Sequence, residues 1–170
     1  MAKLVFVIAS LFLTSIYTLQ FTDTDGNTIN MSSYEGKRIL LVNIASGSSK
    51  VSQLTGLQQL HQEYGDSVII IAFPSNSFGN EPKTNTEIKL FCQSNYGVSF
   101  KIAAKGSVAG TGIQTIYNWL ANISENGNMN GVAGGDFQKF LIDKNGALIG
   151  VFSPSVLPTD NSIIEAITSN

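Results

Sequence analysis

The chain reads as a three-layer α/β domain built on a mixed β-sheet, and three features carry that reading. Two apolar runs, RILLVNIA (38–45) and SVIIIAF (67–73), lack the alternation of a half-solvated strand, so both read as strands covered on both faces. Between them Leu54, Leu57, Gln58, Leu60, His61 and Tyr64 recur at helical spacing, giving a strand–helix–strand unit. Near the C-terminus FQKFLID and ALIGVF flank Lys144-Asn145-Gly146, the clearest hairpin signal in the chain, so antiparallel strands belong to the same layer.

The remaining elements follow in order. Lys3 precedes ten uncharged residues, LVFVIASLFL (4–13), within the length of an export-signal core and too short to cross a bilayer. The small-residue cleavage pattern is missing, because the pairs Phe12/Thr14 and Leu13/Ser15 place a large residue at the outer position, and a buried strand or helix is the competing reading. From Ile16 two short runs meet at Asp25-Gly26, an N-terminal β-hairpin. Gly36-Lys37 leads into the first buried strand. The helix after it spans about residues 51–64, with Gly65 at its end. Thr84 or Asn85 caps the next helix, which runs through Ile88, Phe91 and Cys92 to about Tyr96. A Gly-rich passage precedes a helix over residues 113–123, with Ile116, Tyr117, Trp119 and Leu120 on its apolar face. Pro158 opens a closing helix whose inner face carries Ile163, Ile164 and Ile167.

Composition sets bounds on function. At 170 residues the chain is one domain, with no repeat or Pro-rich linker to divide it. A net charge of −2 and no basic run argue against a nucleic-acid partner. One Cys excludes an intramolecular disulfide, a cysteine metal cluster and, by its position at 92, a lipoprotein anchor; one His excludes a multi-histidine metal site. No metal and no cofactor is expected.

Three stretches carry a resemblance. NIASGSSKVSQLTGLQQL (43–60), IIIAFPSNSFGNEPKTNTEI (69–88) and GGDFQKFLIDKNG (134–146) resemble the glutathione peroxidase family, whose blocks read roughly N-V-A-S-x-C-G-x-T-x-Q, F-P-C-N-Q-F-G and W-N-F-x-K-F-L. Asp25-Gly26, Tyr34, Gly36-Lys37, Glu81-Pro82, Phe91-Cys92 and Tyr96-Gly97-Val98 also fit, so the resemblance covers about residues 15–168. It implies a thioredoxin-like fold, a central mixed β-sheet flanked by helices. The segment Leu120 to Phe137 lacks room for the long insertion of tetrameric members, which implies a monomer. Because the resemblance starts at Ser15, residues 1–14 are taken as a signal-like or extra hydrophobic segment and 15–170 as the domain. That predicts an exported protein, periplasmic or extracellular, and a cytoplasmic one if the segment belongs to the fold.

The four catalytic positions implied by the resemblance hold other residues. Ser48 occupies the peroxide-attacking Cys or selenocysteine position, Ser77 the glutamine, Gly135 the tryptophan and Asp136 the asparagine. A thiolate attacks the peroxide O–O bond and becomes a sulfenic acid; a serine oxygen has no such state, so an activated Ser48 is an acyl-transfer nucleophile and not a peroxide reductant. Ser48 or Ser49 is expected simply to cap the following helix. A serine hydrolase lacks both a G-x-S-x-G elbow and a base, since His61 lies ~20 Å along the same helix at ~1.5 Å per residue, and it is expected to face solvent. Gly135 removes a large ring, and Asp136 brings a carboxylate that raises a neighbouring thiol's pKa. Cys92 falls one residue before the resolving-cysteine position of thioredoxin-dependent relatives, which is Gln93 here, and reads as core. Asn30-Met31-Ser32 and Asn122-Ile123-Ser124 match the glycosylation sequon.

The sequence therefore predicts a family member without peroxidase activity, a binding or regulatory module that meets a small molecule or a protein at the former active-site depression. The alternative is a thiol-dependent peroxidase acting in the oxidative stress response.

Overall fold

A computed structural model describes residues 13–169 of the chain. Strands β1 (Gln20–Thr22) and β2 (Thr28–Asn30) form the N-terminal hairpin around Asp25-Gly26, with Phe21 opposite Ile29. The main sheet holds β3 (Arg38–Ile44), β4 (Val68–Pro74), β5 (Lys101–Ile102), β6 (Lys139–Ile142) and β7 (Leu148–Phe152) in the order β5-β4-β3-β6-β7. β3, β4 and β5 run parallel, whereas β6 is antiparallel to both β3 and β7. The helices are α1 (Gln53–Tyr64), α2 (Asn85–Tyr96), α3 (Thr115–Ala121), the single-turn α4 (Ile123–Asn126) and α5 (Asn161–Thr168). Among the described residues no helix is long and apolar enough to cross a membrane.

All seven residues of β3 are buried, as its unbroken apolar run requires. Successive side chains point to opposite faces. Leu40, Val42 and Ile44 meet Leu54, Leu57 and Leu60 of α1, Cys92 of α2 and Ile163 and Ile167 of α5. Ile39 and Leu41 meet the other layer, where Ile116, Trp119 and Leu120 of α3 pack with Phe140 and Ile142. Each such side chain contributes about 1.5–3 kcal/mol through burial.

Local chemistry explains the element ends. Thr84 caps α2: its Oγ1 accepts from the Glu87 N–H while the Glu87 carboxylate accepts from the Thr84 N–H at 2.8 Å, a reciprocal capping box. The β6–β7 turn places Gly146 at φ 85°, and the Asp143 carboxylate accepts from the N–H groups of Asn145 and Ala147.

Several boundaries differ from the sequence reading. α1 starts at Gln53 and not at Val51, because residues 48–52 form successive tight turns. Gly65 ends α1 in a right-handed conformation (φ −58°) and is needed for space, since a Cβ there would lie 2.6 Å from the His61 carbonyl oxygen. The helix expected over 113–123 is shorter; Asn122 leaves helical geometry (φ −118°, ψ 108°) and α4 follows separately. Pro158 does not open α5. Asp160 does, accepting from the Ser162 N–H at 2.9 Å. β5 was not expected, being only two residues long.

At the N-terminal end, Thr14 belongs to the packed domain. Its N–H donates to Glu125 O at 2.9 Å and its carbonyl accepts from Trp119 Nε1 at 2.6 Å, with Trp119 buried. The packed domain thus includes Thr14, one residue before Ser15. A chain starting at Leu13 should unfold cooperatively in urea like the full chain. One starting at Ile16 should lose about 1–3 kcal/mol, because the buried indole N–H is left without its acceptor. Equal stability of the two truncations would refute this account of the boundary.

Candidate functional site

Three loops converge beyond the C-terminal ends of β3 and β4: residues 45–52, residues 75–84 and residues 133–138. Asn43, fully buried near the end of β3, ties the third loop to the sheet. Its Nδ2 donates to Gly135 O at 2.8 Å, its carbonyl accepts from the Phe137 N–H at 2.6 Å, and its own N–H donates to Gln138 O at 3.4 Å. Phe137 is held at φ 65°, a conformation that costs a bulky residue about 1–2 kcal/mol. Its fully buried ring and the Asn43 bonds hold it there, and the bend carries Gly135 and Asp136 toward the first loop.

The first two loops are joined by Glu81, which is 1% exposed. Its carboxylate accepts from the Ser46 N–H at 2.7 Å, the Ser46 hydroxyl at 2.8 Å and the Lys83 N–H at 3.1 Å. Asn80 links all three loops. Its carbonyl accepts from the Gly47 N–H at 2.9 Å, and its Nδ2 donates to Asp136 Oδ2 at 2.6 Å.

Gly135 and Asp136 are thereby tied to the loop that carries Ser48 through Asn43 and Asn80, while among the described residues Ser48 itself bonds only within its own loop. Ser48 is buried, and its Oγ accepts from the Lys50 N–H at 3.3 Å. Neither it nor Ser49 caps α1, contrary to expectation. Tight turns from 48 to 52 intervene, Ser52 takes the cap position without a side-chain bond, and Gln53 is pinned at the helix start by Lys139 Nζ and Pro154 O. The helix terminus, with its anion-stabilising N–H groups, is thereby displaced from Ser48. Asp136 is buried, and its Oδ1 is shielded from water without a hydrogen-bond partner among the described residues. Gly135 is partly buried, and a Cβ there would lie 3.3 Å from Pro154 Cγ, so a side chain at this position needs Pro154 to give slightly.

Ser77 is not brought to the other three by any hydrogen bond. Its hydroxyl oxygen accepts from the Val108 N–H at 3.0 Å, the Ala109 N–H at 3.3 Å and the Ser75 hydroxyl at 3.0 Å. It fastens the second loop to residues 107–109 and lies turned toward that segment. Four of the surface cavities among the described residues have volumes of about 230–300 Å³, and Ser48, Ser77, Gly135 and Asp136 line none of these four. No group of acidic, His and Cys side chains suited to a metal ion occurs among the described residues.

Lys139 was read in the sequence only as part of the matching scaffold. It is wholly buried between β6 and α1, donating to Gln53 Oε1 and Val156 O. Burial, with Lys50 nearby, lowers its pKa to about 8. Its signal was a lysine in an otherwise apolar strand. Cys92 is 1% exposed on the apolar face of α2, and burial, with the charge of Glu81, pushes its thiol up to about 12. His61 corrects the expectation of a solvent-facing ring: it is half-buried, edge-on to Phe100 at 5.9 Å, because the end of α1 lies over that residue.

The architecture is that of the thioredoxin-like α/β proteins. A thiol:disulfide interchange protein of the thioredoxin family from Chlorobium tepidum superposes with a TM-score of 0.61 at 17% identity, over 91% of this chain and 93% of that one. The apo crystal structure of Trgpx superposes with a TM-score of 0.68 at 29% identity, over 91% and 95%. Within that class the glutathione peroxidase family model matches residues 16–121. A glutathione peroxidase of Lactococcus lactis is 36% identical over 86% of this chain and 94% of its own length. Glutathione peroxidase-like peroxiredoxin 2 of Saccharomyces cerevisiae is 37% identical over 86% and 91%. The chain belongs to the glutathione peroxidase family.

Lys139 and Cys92 make opposing contributions to pH-dependent stability. Lys139 has a depressed pKa, so between about pH 8 and the unfolded value near ~10.4 the unfolded chain holds the extra proton and stability rises with pH. Cys92 has a raised pKa, so from near ~8.5 up to about 12 the native state holds the extra proton and stability falls. Urea melts between pH 8 and 10.5 should therefore show stability rising more steeply with pH in Cys92→Ala than in wild type. Lys139→Met should show it falling more steeply. Parallel slopes in all three proteins would contradict these assignments.

Proposed function

We propose that this chain is a member of the glutathione peroxidase family that does not reduce peroxides, a binding or regulatory module built on the family scaffold. The observation that carries the reading is Ser48 at the nucleophile position, together with the burial of the only thiol, Cys92, in the core. Peroxide reduction of this kind needs an accessible sulfur or selenium that cycles through an oxidised acid, and neither group meets that need. The bond between Asp136 and Asn80 and the turn of Ser77 toward residues 107–109 support the same reading, since two more positions are engaged in holding loops together. The partner, a small molecule or a protein, meets the surface around Ser48, Gly135 and Asp136, and the module acts as a monomer. Residues 1–14 direct export.

A second reading, a thiol-dependent peroxidase of the oxidative stress response, is favoured by the names of the relatives, glutathione peroxidase and glutathione peroxidase-like peroxiredoxin. The purified protein, assayed for peroxide consumption with glutathione and with thioredoxin as donor, should stay at the uncatalysed rate. Steady turnover that persists in Cys92→Ser would establish the second reading.

Ser48→Cys alone should not restore activity. A helix terminus is worth about 0.3–1 kcal/mol at exposed sites, and a pKa unit about 1.4 kcal/mol, so even full access to α1 would lower the new thiol by less than one unit. Asp136 opposes that shift. The single variant should oxidise at the pace of an ordinary cysteine, and faster rates should require at least Gly135→Trp and Asp136→Asn in the same molecule. Family-like turnover from Ser48→Cys by itself would show that the scaffold supplies most of the activation.

A further inference from the structure

Three Asn-Gly pairs occur in the chain, Asn126-Gly127, Asn130-Gly131 and Asn145-Gly146. Asparagine is among the thermolabile residues, and a following glycine, having no Cβ, leaves its amide nitrogen open to approach the asparagine side-chain carbonyl. The three dipeptides are alike in sequence, and the structure separates them. Asn126 is buried: its Nδ2 donates to Trp119 O at 2.8 Å and Met129 O at 2.9 Å, and its Oδ1 accepts from the N–H groups of Asn128 at 2.8 Å and Met129 at 3.0 Å. Asn130 is exposed, but its Oδ1 accepts from the Ile123 N–H at 2.8 Å, and the buried Gly131 N–H donates to Leu120 O at 2.8 Å.

Asn145 is exposed at the tip of the β6–β7 hairpin. The Gly146 N–H beside it donates to Asp143 O at 3.1 Å, a longer bond than those of Gly127 to Ile123 O and Gly131 to Leu120 O, both 2.8 Å. The Gly146 bond opens with an exposed turn alone, whereas freeing Gly127 or Gly131 disrupts α4 or the segment that Asn126 fastens to α3. The same turn is packed against the start of the domain. Tyr17 Oη donates to Lys144 O at 3.1 Å, and a Cβ at Gly146 would lie 2.8 Å from the Tyr17 ring and 3.0 Å from Ile16. Its shape is held by the Asp143 carboxylate, which accepts from the N–H groups of Asn145 and Ala147.

We propose that Asn145 is a site of spontaneous deamidation, a modification that needs only water. The Gly146 nitrogen, its proton given to hydroxide, attacks Asn145 Cγ and forms a C–N bond. The Cγ–Nδ2 bond breaks, the leaving nitrogen takes a proton and departs as ammonia, and a cyclic succinimide remains. Water then opens either carbonyl of the ring, giving aspartate or isoaspartate, with nothing oxidised or reduced. Both products place a new carboxylate beside that of Asp143, where like charges repel. Isoaspartate also routes the main chain through Cβ, which lengthens the turn between the two amides that Asp143 holds. The modification therefore loosens the seat of Tyr17 and is a one-way structural change in the folded chain. It is independent of the chemistry at Ser48, so it stands or falls separately from the proposed function.

The test keeps the full chain folded in mildly alkaline buffer and samples it over weeks by trypsin digestion and mass spectrometry, with fragmentation to locate the altered residue. Cleavage after Lys139 separates Asn145 from Asn126 and Asn130. Asn145 should convert to a mixture of aspartate and isoaspartate about tenfold or more faster than Asn126 or Asn130, whose reaction must first break the hydrogen bonds that hold them. In urea that difference should collapse. Aged wild type should melt at a lower temperature than fresh protein, while Asn145→Gln aged in parallel keeps its Tm. Native conversion at Asn126 or Asn130 as fast as at Asn145, no conversion at Asn145, or an equal loss of Tm in Asn145→Gln would overturn the inference.

Discussion

Asn43 lies completely buried near the end of β3, the strand on which both layers of the domain rest. A polar amide in that position is tolerated because it and its backbone make bonds to three successive stations, Gly135, Phe137 and Gln138. Those bonds hold the chain bent before β6 and hold Phe137 in a left-handed conformation that its own ring could not maintain. The loops carrying Asn80 and Glu81 then close against a fixed partner. The placement of Gly135 and Asp136, and the start of β6, therefore follow from how one strand ends.

Around this frame the electrostatics separate into two arrangements. Beyond the strand ends a buried aspartate and a buried glutamate are satisfied mostly by amide and hydroxyl donors, not by cations. One layer deeper, Lys139 is satisfied by an amide oxygen and a carbonyl, not by a carboxylate. These charges are thus kept apart and held by dipoles, Asp136 through Oδ2 alone, which fixes loop geometry through direction-specific hydrogen bonds. Such an arrangement favours a rigid surface.

The fold was legible because its signals are local and strong. The apolar runs of β3 and β4, the Asn-Gly turn and the Thr84 cap each have a direct physical meaning, and each stands in the structure where the sequence placed it. The family blocks supplied the thioredoxin-like assignment that periodicity could not reach. What was illegible depends on tertiary contact. Whether α1 begins at 51 or 53 is set by Gln53 meeting Lys139, a residue 86 positions away. The half-burial of His61 depends on Phe100, and the direction of the Ser77 hydroxyl depends on amides at 108 and 109. Two-residue β5 has no periodicity to detect, and its pairing is supplied by β4.

The burial of Cys92 has a consequence for the life of the chain outside its native state. One thiol per molecule can form at most one intermolecular disulfide, so oxidation can join two chains and then has nothing left to propagate. The native core withholds that thiol, so cross-linking is available only to molecules that have opened. Covalent dimers accumulating in an oxidising medium would thus act as a permanent count of unfolding events, a built-in dosimeter of excursions from the folded state.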